Sequence, residues 1–295
     1  MNSSHKMIIY FSEGRLGNQL FQYAFLTTIA KPTEKIIVFS MNELFEVFDV
    51  YNDNFKNIKI SNRYIRFMLR KFFVPILSKF FEIMATFKIV TFIKQKKVEN
   101  IQFPELIIKK GILPFKFVNT DYFQSEMFFN KNVLKNIKIK ERYIKEARKI
   151  INSLPQDYQI VFVHIRRGDC LPAIFMGKKG VNLPKRYYIK AISELQKELK
   201  KPFYIFLSDD PDYVEDCFEE FGNKLISRND MGVDLALMTL CEYGICSNST
   251  FSWWGAYLME NRKKVIFPKY WYGWKVKKES HLGIYPQFAT VLEID

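Results

Sequence analysis

Two adjacent arginines followed by a glycine and an aspartate, Arg166-Arg167-Gly168-Asp169, close a short apolar run, Ile160-Val161-Phe162-Val163-His164-Ile165. Guanidinium groups are planar forks that match phosphate oxygens and stay charged at any working pH. The chemistry on offer is a diphosphate site; the plain alternative is a strand end whose arginines are merely solvated. His164, one strand step inside, reads either as a site residue or as a core histidine bonded to backbone. Two further stretches complement the arginines. Ser208-Asp209-Asp210 holds carboxylates able to accept paired hydrogen bonds from a guanine N1–H and its exocyclic amine. Ser247-Asn248-Ser249-Thr250 is a turn that can cap a helix or donate to phosphate oxygens. Asp210-Pro211-Asp212 also spells a D-x-D metal site, but arginines already neutralise phosphate and the same residues make a good helix start.

The elements that must position these groups follow from the pattern. Apolar runs at 160–165, 202–207, 243–246 and 264–267 read as buried strands, with helical spacing between them at 187–199, 214–221 and 234–241. Such alternation predicts a parallel sheet with crossover helices, so the three polar stretches all open at one edge. Upstream, a strand at 7–11 leads into Glu13-Gly14-Arg15-Leu16-Gly17-Asn18-Gln19 and a helix over 20–30. Strand, glycine-bearing loop and helix is the opening of a nucleotide-binding unit with backbone N–H groups aimed at an anion, or a plain βα turn. Strands at 35–40 and 117–122 and a helix over 141–154 complete the outline. Pro155-Gln156-Asp157 is the expected domain boundary, giving an N-terminal α/β domain over 1–155 and a second over 156–295. The stretch 171–184 reads as a Gly- and Pro-containing loop long enough to flap over a site. Trp253 and Trp254, with Phe251 and Tyr257 at helical spacing, read as core rather than as a sugar-stacking platform.

The 295 residues carry a formal charge of +14, which implies acidic partners: nucleic acid, anionic lipid or phosphorylated small molecules. No zinc-finger spacing, RNP-like motif or basic tail supports nucleic acid. Four cysteines at 170, 217, 241 and 246 make no C-x-x-C pair and read as reduced thiols, hence a cytoplasmic protein. The first residues have no apolar core of a secretion signal. Residues 63–97 hold nine basic side chains against one acid, Glu82, interleaved with Phe and Ile. They predict one or two basic amphipathic helices within an insertion at about 60–100, serving as a solvated face over a core or as a membrane-surface element. The apolar stretch 72–93 is interrupted by Pro75, Lys79, Glu82 and Lys88 and falls short of a span.

Three stretches together, Gly14-Arg-Leu-Gly-Asn-Gln-Leu-Phe-Gln-Tyr-Ala24, His164-Ile-Arg-Arg-Gly-Asp169 and Ser247-Asn-Ser-Thr-Phe-Ser-Trp-Trp-Gly-Ala-Tyr-Leu258, resemble the signatures of bacterial α-1,2-fucosyltransferases of glycosyltransferase family 11. Order and spacing match over nearly the whole chain, with only about 50–145 unmarked. The resemblance implies a GT-B-like fold: two Rossmann-like α/β domains with parallel sheets facing a cleft, acceptor on the N-terminal side and GDP-fucose mainly in the C-terminal domain. It implies inverting transfer without a metal or other cofactor. Arg166 would hold the β-phosphate of the leaving group, and Asn18, beside Gly17, would approach the same phosphate. His164, Arg167, Asp169 and Asp209 or Asp210 would line the donor site, with Ser249 and Thr250 beside the phosphates. Cys170 departs from the aromatic residue usual after Arg-Gly-Asp, which bears on loop packing or acceptor choice. Glu13 and Asp169 are the nearest general-base candidates, and each reads equally as a loop brace. The expected partners are GDP-fucose and a galactose-terminated glycan acceptor, lipid-linked at an anionic membrane, with no nucleic acid. Alternatives are a transferase of the same fold using another sugar nucleotide, and a non-enzymatic basic protein binding RNA or lipid through 63–97.

Overall fold

A computed structural model of the chain describes residues 6–99 and 101–294; the start of the chain, read above for a secretion signal, lies outside them. The chain divides into two compact units, Met1–Lys138 and Ile139–Asp295.

In the first unit the principal elements are β1 (Met7–Phe11), α1 (Leu16–Ile29), β2 (Lys35–Phe39), β3 (Phe55–Ile58), α2 (Arg63–Met68), α3 (Val74–Thr86), β4 (Thr91–Val98), β5 (Ile101–Lys109) and β6 (Phe115–Val118). Sheet order is β3-β2-β1-β6-β4-β5. All neighbours are parallel except the β4–β5 hairpin at the edge. α1 is apolar nearly all round and buries Leu20, Phe21, Tyr23, Ala24, Phe25 and Leu26, as such a helix must. α2 and α3 are joined by a π-helical turn over Leu69–Phe73. Pro75, which lacks an N–H and crowds the carbonyl four residues back, accounts for the widened turn before it. The basic stretch 63–97 is thus helical only to Thr86. From Thr91 it is a strand, because Phe92 and the β-branched Ile93 and Val98 pair against β5 and the β-branched Thr91 against β6. Lys94, Lys96 and Lys97 on that strand bond Glu82, Glu105 and Asp121 at 2.6–2.7 Å.

The second unit holds α4 (Glu141–Ser153), β7 (Gln159–Ile165), α5 (Lys185–Gln196), β8 (Pro202–Ser208), α6 (Pro211–Cys217), β9 (Lys224–Ile226), α7 (Met231–Leu240), β10 (Tyr243–Ile245), α8 (Thr250–Tyr257), β11 (Lys264–Pro268) and β12 (Ala289–Leu292). Its sheet is wholly parallel, in the order β9-β8-β7-β10-β11-β12. Val161, Val163 and Ile165 on one face of β7 pack with Tyr187, Tyr188 and Ala191 of α5. Trp253 and Trp254 are fully buried, and Trp253 donates to the Ile284 carbonyl at 2.7 Å. The domain boundary falls between Lys138 and Ile139 rather than at Pro155. The reason is α4, which packs on α7: Gly232 leaves room for the Tyr143 ring, to which an added Cβ would come within 2.6 Å. Residues 171–184 are not an open loop. They carry a small antiparallel hairpin, Ile174–Phe175 with Lys178–Lys179.

A buried carboxyl beside β9 supplies a pH test of this fold. Asp234 in the first turn of α7 accepts from the Ser227 hydroxyl, and burial pushes its pKa from 3.8 up to about 7. The folded pKa lies above the unfolded one, so this group's contribution is intact below about pH 4 and is lost as pH rises to about 7. Asp234→Asn removes the titration and keeps an acceptor for Ser227. Its melting temperature should match wild type near about pH 4 and exceed it near about pH 8. Equal melts at both pH values would contradict the assignment.

Candidate active site

β7 and β10 lie side by side, and the chain runs outward from them in opposite directions: β7 leads to β8, β10 to β11. Where strand order reverses, a parallel sheet leaves a crevice outside its carboxyl ends. His164 spans that point. Its Nδ1 lies 2.8 Å from Ser247 Oγ beyond β10, and its ring lies 5.6 Å from that of Phe251 in α8. Burial, and after it the charge of Arg166, push the His164 pKa down to about 3. The imidazole is therefore neutral at physiological pH and acts as a hydrogen-bonding group, not a cation or proton store.

Arg166 follows at the end of β7, held by two carboxylates. Its Nε and one terminal nitrogen reach Asp169 Oδ1 at 3.0 and 2.8 Å, and the other terminal nitrogen reaches Asp209 Oδ2 at 3.0 Å. Burial alone would lower its pKa, but Asp209 and Asp169 outweigh burial and hold it above the ordinary arginine value. Asp209 also accepts the Arg167 backbone N–H at 2.9 Å, tying the ends of β7 and β8 together. Gly168 is required there, since an added Cβ would sit 2.5 Å from Asp209 Oδ2. Arg167 turns away. Its Nε donates to Asp210 at 2.9 Å and its guanidinium lies 3.3 Å from the centre of the Tyr213 ring. Asp210 caps α6 by accepting the Tyr213 N–H at 3.2 Å.

The two aspartates are thus arginine holders: each of their oxygens already accepts a protein donor, and base recognition would have to use the remaining lone pairs. The D-x-D alternative separates, because Asp212 points to Arg228 at 2.8 Å. Among the described residues no three His, Cys, Asp or Glu side chains converge as metal ligands. Ser249 caps α8, accepting the Phe251 N–H at 3.3 Å, and Thr250 is the first helical residue. Asn248 is fully buried; its Nδ2 donates to the Val181 carbonyl at 2.6 Å and anchors the 171–184 segment, while its Oδ1 has no partner.

In the first unit the loop after β1 is braced from within. Gln19 donates to the Gly14 carbonyl at 3.1 Å and accepts the Leu44 N–H at 2.9 Å. Gln22 donates to the Glu13 carbonyl at 2.7 Å and accepts from Ser12 at 2.6 Å. Gly14 adopts a left-handed φ of +83° with Asn18 packed against it. Gln124 donates to Asn18 Oδ1 at 2.7 Å, which leaves the Asn18 NH2 as the group able to donate. Gly17 is buried in the first turn of α1, whose Leu16 N–H is taken by Glu43 at 2.7 Å. Glu13 pairs with Arg70, and its charge adds to burial in pushing the Tyr122 hydroxyl up to about 12. Both general-base candidates, Glu13 and Asp169, are therefore ion-paired with arginines.

A family model described as Glycosyl transferase family 11 matches residues 2–284. The chain belongs to glycosyltransferase family 11. Among its relatives is an α-1,2-colitosyltransferase of Escherichia coli, 27% identical over 271 residues, spanning 83% of this chain and 85% of that protein. The Escherichia coli O-antigen biosynthesis glycosyltransferase WbnK is 34% identical over 115 residues, 37% of this chain and 38% of that protein. In fold the chain resembles the fucosyltransferase NodZ from Bradyrhizobium, with TM-score 0.53, 13% identity, and coverage of 87% and 94%. The family 11 fold is accordingly GT-B-like, as its two α/β units with largely parallel sheets require. Ser247, Tyr213 and Gln124 escaped the reading of residues. Ser247 stands in a motif whose Ser and Thr were singled out instead, Tyr213 lies one helical turn beyond Asp210, and Gln124 carried no signal.

Proposed function

We propose that this family 11 glycosyltransferase moves fucose from GDP-β-L-fucose to a galactoside hydroxyl of a bacterial surface glycan, forming an α-1,2 linkage with inversion, in the cytoplasm. The observation that carries the reading is Arg166, fixed between Asp169 and Asp209 beside the strand-order reversal. A glycosyl transition state is oxocarbenium-like, and its barrier falls when fixed donors stabilise the departing diphosphate. Arg166 meets that demand at the β-phosphate, taking the incoming oxygens on the side where Asp169, exposed to solvent, can yield. In the first unit Asn18, whose Oδ1 accepts from Gln124, keeps its amide NH2 as a donor. Neutral His164 and the α8 turn at Ser249–Thr250 furnish further donors without adding charge. Arg167, Asp209 and Asp210 hold this frame.

A second reading, colitose in place of fucose, is favoured by the α-1,2-colitosyltransferase relative, which spans 83% of this chain. Calorimetric titration in EDTA with GDP, GDP-fucose, GDP-colitose, GDP-mannose and UDP-galactose separates them. Binding confined to GDP and GDP-fucose, followed by α-1,2 transfer to a galactoside as read by NMR of the product, is the expected result. Preference for GDP-colitose would replace the donor, binding of UDP-galactose would remove the guanine reading, and turnover only with added divalent metal would overturn the metal-free mechanism.

A further inference from the structure

α3 is apolar on two opposite faces. Leu77, Phe81, Met84 and Ala85 pack on Phe92 and Phe117 beneath it. On its outer side Ile76, Phe80, Ile83 and Phe87 form a second row at helical spacing, 70, 52, 50 and 72% exposed. A helix apolar all round is normally covered. The row continues to Ile112, 85% exposed, whose N–H donates to the Lys88 carbonyl at 3.0 Å. It also continues back through the π turn to α2, which buries none of its residues and exposes Tyr64 and Phe67.

The rim of this face is cationic. Arg63, Arg66, Lys79 and Lys88 are exposed and, among the described residues, have no carboxylate partner. Glu82, the one acid between residues 63 and 97, is neutralised by Lys94 at 2.7 Å and Lys109 at 3.4 Å. We propose that this face docks on an anionic lipid bilayer. The aromatic and aliphatic row enters the headgroup–acyl boundary while the arginines and lysines meet lipid phosphates. With its inner face held on the sheet, α3 lies in the plane of the interface. A second copy of the chain fits worse, because a twofold contact would oppose the same cations to one another. The inference stands independently of the donor assignment.

The test is flotation of the full chain with phosphatidylcholine vesicles, with and without phosphatidylglycerol. Binding is expected only with phosphatidylglycerol and should fall with added salt. Lys79→Glu with Lys88→Glu should weaken it by more than about tenfold. Ile76→Ser with Phe80→Ser, on the outer row, should weaken it while leaving the circular-dichroism melt near that of wild type. Absence of flotation of the wild-type chain would overturn the proposal. So would unchanged flotation of the charge-reversed variant, or a wild-type dimer in ultracentrifugation that the Ile76/Phe80 variant converts to monomer.

Discussion

Arg166→Ala should lower kcat for sugar transfer by about 10²- to 10³-fold, equivalent to about 3–4 kcal/mol of barrier. The effect belongs to turnover because a guanidinium fixed in advance stabilises charge that grows only as the diphosphate leaves. Its ion pairs, with Asp169 and Asp209, lie at the sheet edge, so the thermal melt should stay close to wild type. Arg166→Lys keeps the charge but cannot reach both carboxylates as a planar fork, and it should recover only part of the loss. Steady-state kinetics with saturating acceptor decides the matter. A kcat for Arg166→Ala within a few-fold of wild type would remove Arg166 from the chemistry.

Gly244→Val should destabilise the second unit. Gly244 of β10 faces Phe162 directly across the parallel ladder. The Phe162 ring fills the space a side chain would take, so that an added Cβ would lie 2.2 Å from one of its carbons. Neither strand can retreat, since β7 is hydrogen-bonded to β8 on its other side and β10 to β11. Overpacking of this kind costs about 1–3 kcal/mol, which for a unit of this size lowers the melting temperature by about 4–10 °C. Thermal unfolding followed by circular dichroism measures it directly, and an unshifted melt would show that the ring can move aside.

The strands that carry the site were legible because they are buried on both faces and therefore read as continuous apolar runs. Once those runs are parallel, Arg166, Asp209 and Ser249 must emerge at one edge, whatever their distance in sequence. The pairing at that edge was not legible. Asp209 and Asp210 look alike in a row of acids, and only the twist of β8 into α6 gives one to Arg166 and the other to Arg167 and a helix cap. Residues 91–97 misled because lysine heads hide a strand's alternation when their stems lie along it. The boundary at Pro155 misled because a proline marks the end of a helix, whereas a domain ends where packing does, and α4 packs forward onto α7.

The immediate surroundings of Arg166 carry a further consequence. Two guanidinium groups, Arg166 and Arg167, stand against three carboxylates, Asp169, Asp209 and Asp210, so this patch bears one formal negative charge in a chain of +14. If the proposed donor site is here, an approaching nucleotide sugar is not drawn in by the charge of this patch. On the proposed function, long-range attraction comes from lysines and arginines spread over the rest of the molecule, and the patch acts only at contact, when phosphate oxygens would take the place of Asp169. Capture and recognition are thereby assigned to different charges. Residues that set how fast the donor arrives can change through evolution without disturbing those that decide how it is held.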